Sequence, residues 1–485
     1  MTALPSTSAR HEPKASGARS ASCSVHLEKA AIYHAAFLLI FASWSLGGNI
    51  GWAETTLIAA GGLSGLITLL EFRRRWRTRG SLRPFHWLWP LAGFVGLVLL
   101  STLYPNLQVS TIEGATVFIP REVGSFVPST ARPALSLREL GLFVALFLPC
   151  FNLAVAVRSR RLLCGLLWVL VVNAFALAVF GSLQKLIHAP GLYFGAIHSP
   201  NTRFFASFIY QNHWGAFALL HLAIGLALLF RTGHDPRYRS FFQSPAFLAL
   251  IGLLFLAASI PLSASRSCTV MAAGLLSIAL FTTWRRLARG RISPGLAWLT
   301  LLGATALVAL SIILARPVMQ ARLADTQEQL SRVRATGSIG SRAQLYRETW
   351  QMARDRPLFG WGLGSYSWIY FRYNHQVSAD RLPVYYEDAH SDWLQSLAET
   401  GFVGTALRGL LLILPLGSLR RLRPFSSGVS YLLLGCALVL LYATVEFPFG
   451  NAAVILTFWL CWFSAVRLAQ LDDRDRGPAT PLEVS

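Results

Sequence analysis

Residues 387–401 read EDAHSDWLQSLAETG, and they place one histidine, His390, in the only long hydrophilic segment of an otherwise apolar chain, about 316 to 401. Arg342, behind Ser341, lies in the same segment. These two residue types can do proton and anion chemistry. A helix N-terminus disfavours a cationic imidazole, so a histidine there is held in the neutral form that accepts a proton. A guanidinium in a first helical turn is likewise opposed by the helix dipole, unless an anion binds. Backbone N–H groups and a two-pronged arginine then converge on that anion. The spacing predicts the helices that would hold both groups. Ser341 is suited to N-cap a helix with Leu345, Thr349, Met352 and Ala353 at helical intervals, ended before Pro357. The sequence GWGLGSY then turns the chain. A second short helix is expected to start at Ser391 or Asp392, to bury Trp393, Leu394 and Leu397 on one side, and to end at Gly401.

The rest of the chain must position that segment, and its composition says how. With 54% apolar and 13% charged residues and a mean hydropathy of +0.49, 485 residues cannot make a soluble globule. Apolar runs close to the length of a bilayer crossing lie at about 31–48, 52–70, 87–104, 139–157, 162–183, 213–230, 245–262, 269–284, 295–315, 402–419, 428–446 and 451–468. The expected fold is therefore all-α, a multi-pass bundle of about twelve spans with one large, mostly helical loop. Its divisions are a tail at 1–28, spans one to nine within 29–315, the loop at 316–401, spans ten to twelve within 402–468, and a tail at 469–485.

The net charge of +21 is mostly a topology signal and not a nucleic-acid footprint. Basic clusters at Arg73–Arg79, Arg158–Arg161, Arg231–Arg239, Arg285–Arg291 and Arg420–Arg423 each follow an even-numbered run. Short cationic loops stay in the cytoplasm, which puts both termini inside and the 316–401 loop outside. Other outward segments longer than a turn are about 105–138 and 184–212. The first 28 residues lack the pattern of a signal peptide and are expected to be disordered. The six cysteines form no CxxC pair, so no disulfide or metal framework is implied. No internal repeat stands out, which weakens an inverted-repeat transporter reading.

The order and sidedness of these motifs resemble the O-antigen ligase and O-antigen polymerase family of bacterial membrane glycosyltransferases. In that family a serine–arginine pair opens a helix of one large periplasmic loop, a proline and two glycines follow, and a histidine precedes an LQxLAETG-like stretch. The matching residues here are Ser341 and Arg342, then Pro357, Gly360 and Gly362, then His390 with Leu394, Gln395, Leu397, Ala398, Glu399, Thr400 and Gly401. A further serine–arginine pair at the outer end of the seventh span is Ser265 and Arg266. One departure is Ser391, where the family often has asparagine.

The resemblance implies a glycan donor carried on a polyprenyl (undecaprenyl) diphosphate, and a glycan, lipid A core or protein as acceptor. Such transfer needs a base for the acceptor hydroxyl and cations for the departing diphosphate. His390 is the expected base, with Arg342, Arg266 and Arg203 as diphosphate ligands. Gln211, Asn212, Tyr386 and Glu387 are expected to contact sugar or acceptor. Glu399 follows His390 by nine residues, roughly 13 Å along a helix, and is expected to be structural. Arg408, inside the tenth run, is open to pairing with Glu446 or Glu54. No outward DxD cluster offers a cation site, so catalysis is expected to need no metal or other cofactor, arginines neutralising the diphosphate instead. No second carboxylate offers itself as a covalent nucleophile, which implies inversion at the anomeric carbon. The expected location is the bacterial inner membrane with a periplasmic active site. The competing class is a twelve-span transporter or flippase for lipid-linked glycans, which would place polar sites near the bilayer midplane.

Overall fold

The computed structural model describes residues 14–112, 115–232, 245–290, 305, 341–377, 384–420 and 425–475. Among them nine helices are long and apolar enough to cross a membrane, so the chain is a multi-pass, all-α membrane protein. Two shorter apolar helices, Phe247–Leu262 and Ser427–Tyr442, stand at the seventh and eleventh expected runs. The ninth run, 295–315, lies outside the described residues apart from position 305. Helices Gln211–Arg231 and Ala452–Asp475 form the axis of the bundle, with 89% of the residues in their most apolar stretch buried, whereas in Gly51–Arg77 and Arg266–Ala288 only 22% are buried against the described residues.

One element departs from helix. Residues Leu107–Ile112 and Ala115–Pro120 pair as an antiparallel hairpin, Leu107 opposite Pro120 and Ile112 opposite Ala115. The physical reason is in the sequence LQVSTI…ATVFIP, whose β-branched residues favour extended backbone. The hairpin belongs to a second, small core separate from that of the bundle. Leu107 and Ala131 pack there with Leu345, Met352, Ala353, Trp361, Tyr366 and Ile369. The first long connection thus shares one core with residues 341–377 and 384–401.

The helix expected to end at Gly401 instead runs on as Asp392–Gly417, broken only at Gly401 (φ 60°, ψ −168°). A break of this kind strands carbonyls before it and N–H groups after it. The Pro357–Gly362 segment takes them up. Trp361 N donates to Ala398 O at 2.9 Å, Gly362 N to Glu399 O at 2.7 Å, Phe402 N to Pro357 O at 2.7 Å and Val403 N to Leu358 O at 3.0 Å. Such close backbone docking excludes a side chain on either strand. A Cβ at Gly360 would lie 2.4 Å from the Glu399 carbonyl carbon, and one at Gly401 2.3 Å from that of Leu358.

Trp393 was expected to face inward, and it does not: it is 37% exposed, with Nε1 donating to Leu440 O at 3.0 Å. The buried face is made by Ser396, Ala398, Glu399 and Thr400 instead. An indole suits a helix end that is apolar on one side and polar at its tip. Arg408 pairs with neither acid considered for it. Its Nη2 donates to Ser396 Oγ (2.6 Å) and Thr400 Oγ1 (2.9 Å), bracing the kinked helix from within, while Glu54 pairs with Arg138.

At the other end of the bundle the basic clusters gather around a few carboxylates. Arg74, Arg75 and Arg158 share the fully buried Glu71 at 2.7, 2.8 and 3.3 Å. Arg231 grips Asp472 with two contacts of 2.9 and 3.2 Å, and Arg160 reaches the same carboxylate at 3.2 Å.

Candidate active site

His390 stands two residues before the helix Asp392–Gly417, whose N-cap Ser391 accepts from Leu394 N at 3.4 Å. Its backbone is left-handed (φ 50°), a conformation that costs a non-glycine residue free energy unless neighbours hold it. They do. Tyr346 Oη donates to the His390 carbonyl at 2.9 Å, and Asp392 N donates to Ala443 O at 3.0 Å, tying the turn to the connection after Ser427–Tyr442.

That connection supplies the partner that sequence reasoning missed. Glu446, with only 4% of its side chain exposed, directs Oε2 to His390 Nδ1 at 3.3 Å and Oε1 to the Arg342 guanidinium. Arg342 also donates to Val445 O at 3.4 Å. Tyr210 Oη donates to Glu446 Oε2 at 3.4 Å and accepts from Asn212 Nδ2 at 2.7 Å. The Phe447 ring stands edge-on to His390 at 4.9 Å and stacks on Tyr210 at 5.3 Å. A buried carboxylate therefore joins an imidazole, a guanidinium and a phenol drawn from four separate stretches of chain.

The electrostatics follow from these partners. Burial alone would raise the Glu446 pKa, but the hydrogen bond from His390 and the Arg342 charge outweigh it and hold the carboxyl below its ordinary value. Arg342 loses some preference for its charge to burial and regains more from Glu446, so it stays a firm cation. Burial raises the Tyr210 phenol, and the Glu446 charge adds to that. Because an ionised carboxylate only accepts, the contact to Nδ1 requires the proton on that nitrogen. In the neutral imidazole that tautomer leaves the lone pair on Nε2. Next to His390, burial pushes Asp388 up to about 6, with Gln395 Nε2 donating to it at 3.2 Å.

Of the residues expected to act, His390 and Arg342 meet directly through Glu446, and Asn212 joins them through Tyr210. Gln211 opens the same helix as Asn212 and is buried. Arg266 is exposed at the first position of its helix, Arg266–Ala288. That helix start lies at the His390 end of the bundle, since a Cβ on Gly215 would come within 2.7 Å of Ser265 Oγ. Arg203 is exposed in the connection before Tyr210, its backbone N–H bonded to Asn201 Oδ1 at 2.9 Å. Tyr386 donates to Gln376 Oε1 at 3.0 Å, and Glu387 is exposed. Glu399 turns away from the cluster, its carboxylate accepting from Tyr366 N at 3.1 Å.

A signal for Glu446 was present: it is the sole acidic residue between Glu399 and Asp472. Its sequence neighbourhood offers it only as a partner for Arg408, because Glu446 sits in a short connection far in sequence from His390 and Arg342.

Residues 251–408 match a family model described as O-antigen ligase. The match covers about a third of the chain and supports a likeness to that family over this stretch. It contains His390, Arg342 and Arg266, while Glu446, Tyr210 and Asn212 lie outside the matched residues. No curated protein matches the chain. The long apolar helices mark a multi-pass membrane protein, and the match adds support for a glycosyltransferase type of function.

Proposed function

We propose that the protein transfers an oligosaccharide or polysaccharide from a polyprenyl diphosphate to an acceptor hydroxyl at the outer face of the bacterial inner membrane, as an O-antigen ligase or repeat-unit polymerase. The observation that carries this reading is the single carboxylate, Glu446, held between His390 and Arg342. It gives the base an orienting partner, with the anion-binding residue beside it.

In the proposed step His390 Nε2 takes the proton of the acceptor hydroxyl as that oxygen attacks the anomeric carbon. The bond from this carbon to the diphosphate oxygen breaks, and the polyprenyl diphosphate leaves with the electron pair. Displacement in one step inverts the anomeric centre. Charge develops on the leaving diphosphate, where Arg342 neutralises it with Arg266 and Arg203 approaching from the same end of the bundle. Glu446 keeps Nδ1 protonated and steadies the imidazolium once it forms. Asn212, Gln211, Tyr386 and Glu387 line the approach for sugar or acceptor. Arginines suffice as counterions, so the transfer is metal-independent. In this reading the 316–401 loop is periplasmic, and the gathered arginines of the far end lie in the cytoplasm with both termini.

The test is transfer by the purified, reconstituted protein from a polyprenyl diphosphate glycan, with EDTA present, to each acceptor in turn: lipid A core, a second lipid-linked repeat, and a protein. Transfer to one of them that persists in EDTA is expected. Donor translocation across the membrane without transfer to any acceptor would contradict the reading.

A further inference from the structure

Helix Gln211–Thr232 begins at the Glu446 cluster, and twenty residues later Arg231 lies about 30 Å away along its axis. There a cavity of about 530 Å³ opens between helix ends. Three guanidinium groups from three helices line it: Arg160 from the start of Arg160–Leu186, Arg231 from the end of its helix, and Arg286 from the end of Arg266–Ala288. Against these three cations stand two carboxylates, Asp472 and Asp475. The lining is cationic on balance.

The cavity also receives the N-terminus of Ser427–Tyr442. Its N-cap, Ser426, makes no hydrogen bond back to its own helix and donates instead to Asp472 Oδ2 at 2.8 Å. The helix therefore begins without a side-chain cap on its first-turn N–H groups. Arg286 Nη2 donates to Ser427 Oγ at 2.7 Å with its guanidinium over the Phe230 ring at 4.7 Å. Gly428 lets Arg231 lie against the helix start, since a Cβ there would come within 2.8 Å of Arg231 Cδ. Guanidinium groups, a serine hydroxyl and an uncapped helix start around one cavity are the parts of a phosphate site. Phe230 and Phe425 give it an apolar wall.

We propose that this cavity binds a phosphate-bearing anion at the membrane face opposite His390. Its chemistry suits the headgroup of an anionic phospholipid or a soluble phosphate alike, and basic pockets between helices at a membrane surface are where such headgroups dock. The proposal is independent of the transfer reaction.

The experiment uses the full-length protein in nanodiscs of phosphatidylcholine, of phosphatidylcholine with phosphatidylglycerol, and of phosphatidylcholine with inorganic phosphate against chloride at matched ionic strength. Bound lipid by native mass spectrometry and the melting temperature are read for wild type, Arg286→Gln and Ser427→Asp. The aspartate puts a fixed carboxylate where the anion would sit, and a helix N-terminus tolerates it well. Wild type is expected to retain phosphatidylglycerol, or to be stabilised by phosphate, with affinity at least about tenfold above either variant. Phosphatidylglycerol retention assigns the site to a lipid, and stabilisation by phosphate alone assigns it to a soluble anion. Equal retention and equal stabilisation across the three proteins, or neither effect in wild type, would overturn the proposal.

Discussion

Glu446 and Asp472 are built alike and sit at opposite ends of the bundle. Each is a nearly buried carboxylate in or beside a helix end, held by arginine and by a hydroxyl: Arg342 and Tyr210 for Glu446, Arg231, Arg160 and Ser426 for Asp472. They differ in one partner. Asp472 meets groups that keep their protons near neutral pH, so its network clamps helices together and has no proton to exchange there. Glu446 also meets His390, an imidazole and so a group that can both accept and donate a proton. The same electrostatic device becomes a candidate for catalysis when a titratable imidazole replaces one of the fixed donors.

The comparison breaks most sharply at His390. His390→Ala should lower transfer by roughly 10²–10⁴-fold, the span of a general base, with the melting temperature nearly unchanged. Arg342→Lys should cost about 10²-fold in kcat/KM, because an ammonium cannot grip two phosphate oxygens; steady-state kinetics over a range of donor concentrations checks it. Glu446→Gln should cost about tenfold in kcat, because the imidazole loses the carboxylate that orients it, and steady-state kinetics at saturating donor checks it.

The stability of the same variant has a defined sign. The folded pKa of Glu446 is depressed, so its contribution is full above the ordinary carboxylate range and is lost as pH falls through the depressed value. Wild type should therefore melt more steeply on acidification in that window than Glu446→Gln. Asp388 runs the other way. Its pKa is raised to about 6, so the stability it allows is full below its ordinary value and declines as pH rises through 6. Asp388→Asn should relieve on the order of 3 kcal/mol at pH 8, read from melting at pH 4 and pH 8. The smallest effect on chemistry belongs to the clamp. Asp472→Asn should leave kcat/KM of the folded protein unchanged while costing about 1–3 kcal/mol of stability through its charged hydrogen bonds.

Much of this was legible in the residues. Among the described residues, nine of the apolar runs coincide with helices long enough to span, because a bilayer demands a fixed length of helix, and Pro357 marked a helix end because proline cannot continue one. His390 was read at a helix entrance because a serine and an aspartate follow it. What escaped was long-range. Gly401 reads as a helix stop, and only the docking of Pro357–Gly362 shows that the helix resumes once its stranded backbone groups find partners. Trp393 reads as core by spacing, although a helix facing lipid has no penalty for an outward indole. Glu446 was visible as a lone acid, but its partners come from positions 210, 342 and 390, and no local pattern joins them.

The most direct test is single-turnover transfer from a polyprenyl diphosphate glycan by wild type and His390→Gln, with donor binding measured on the same samples. The account predicts donor affinity within about threefold of wild type and transfer slowed at least about 10²-fold. Transfer at the wild-type rate in the variant, or donor binding lost in proportion to turnover, would contradict it.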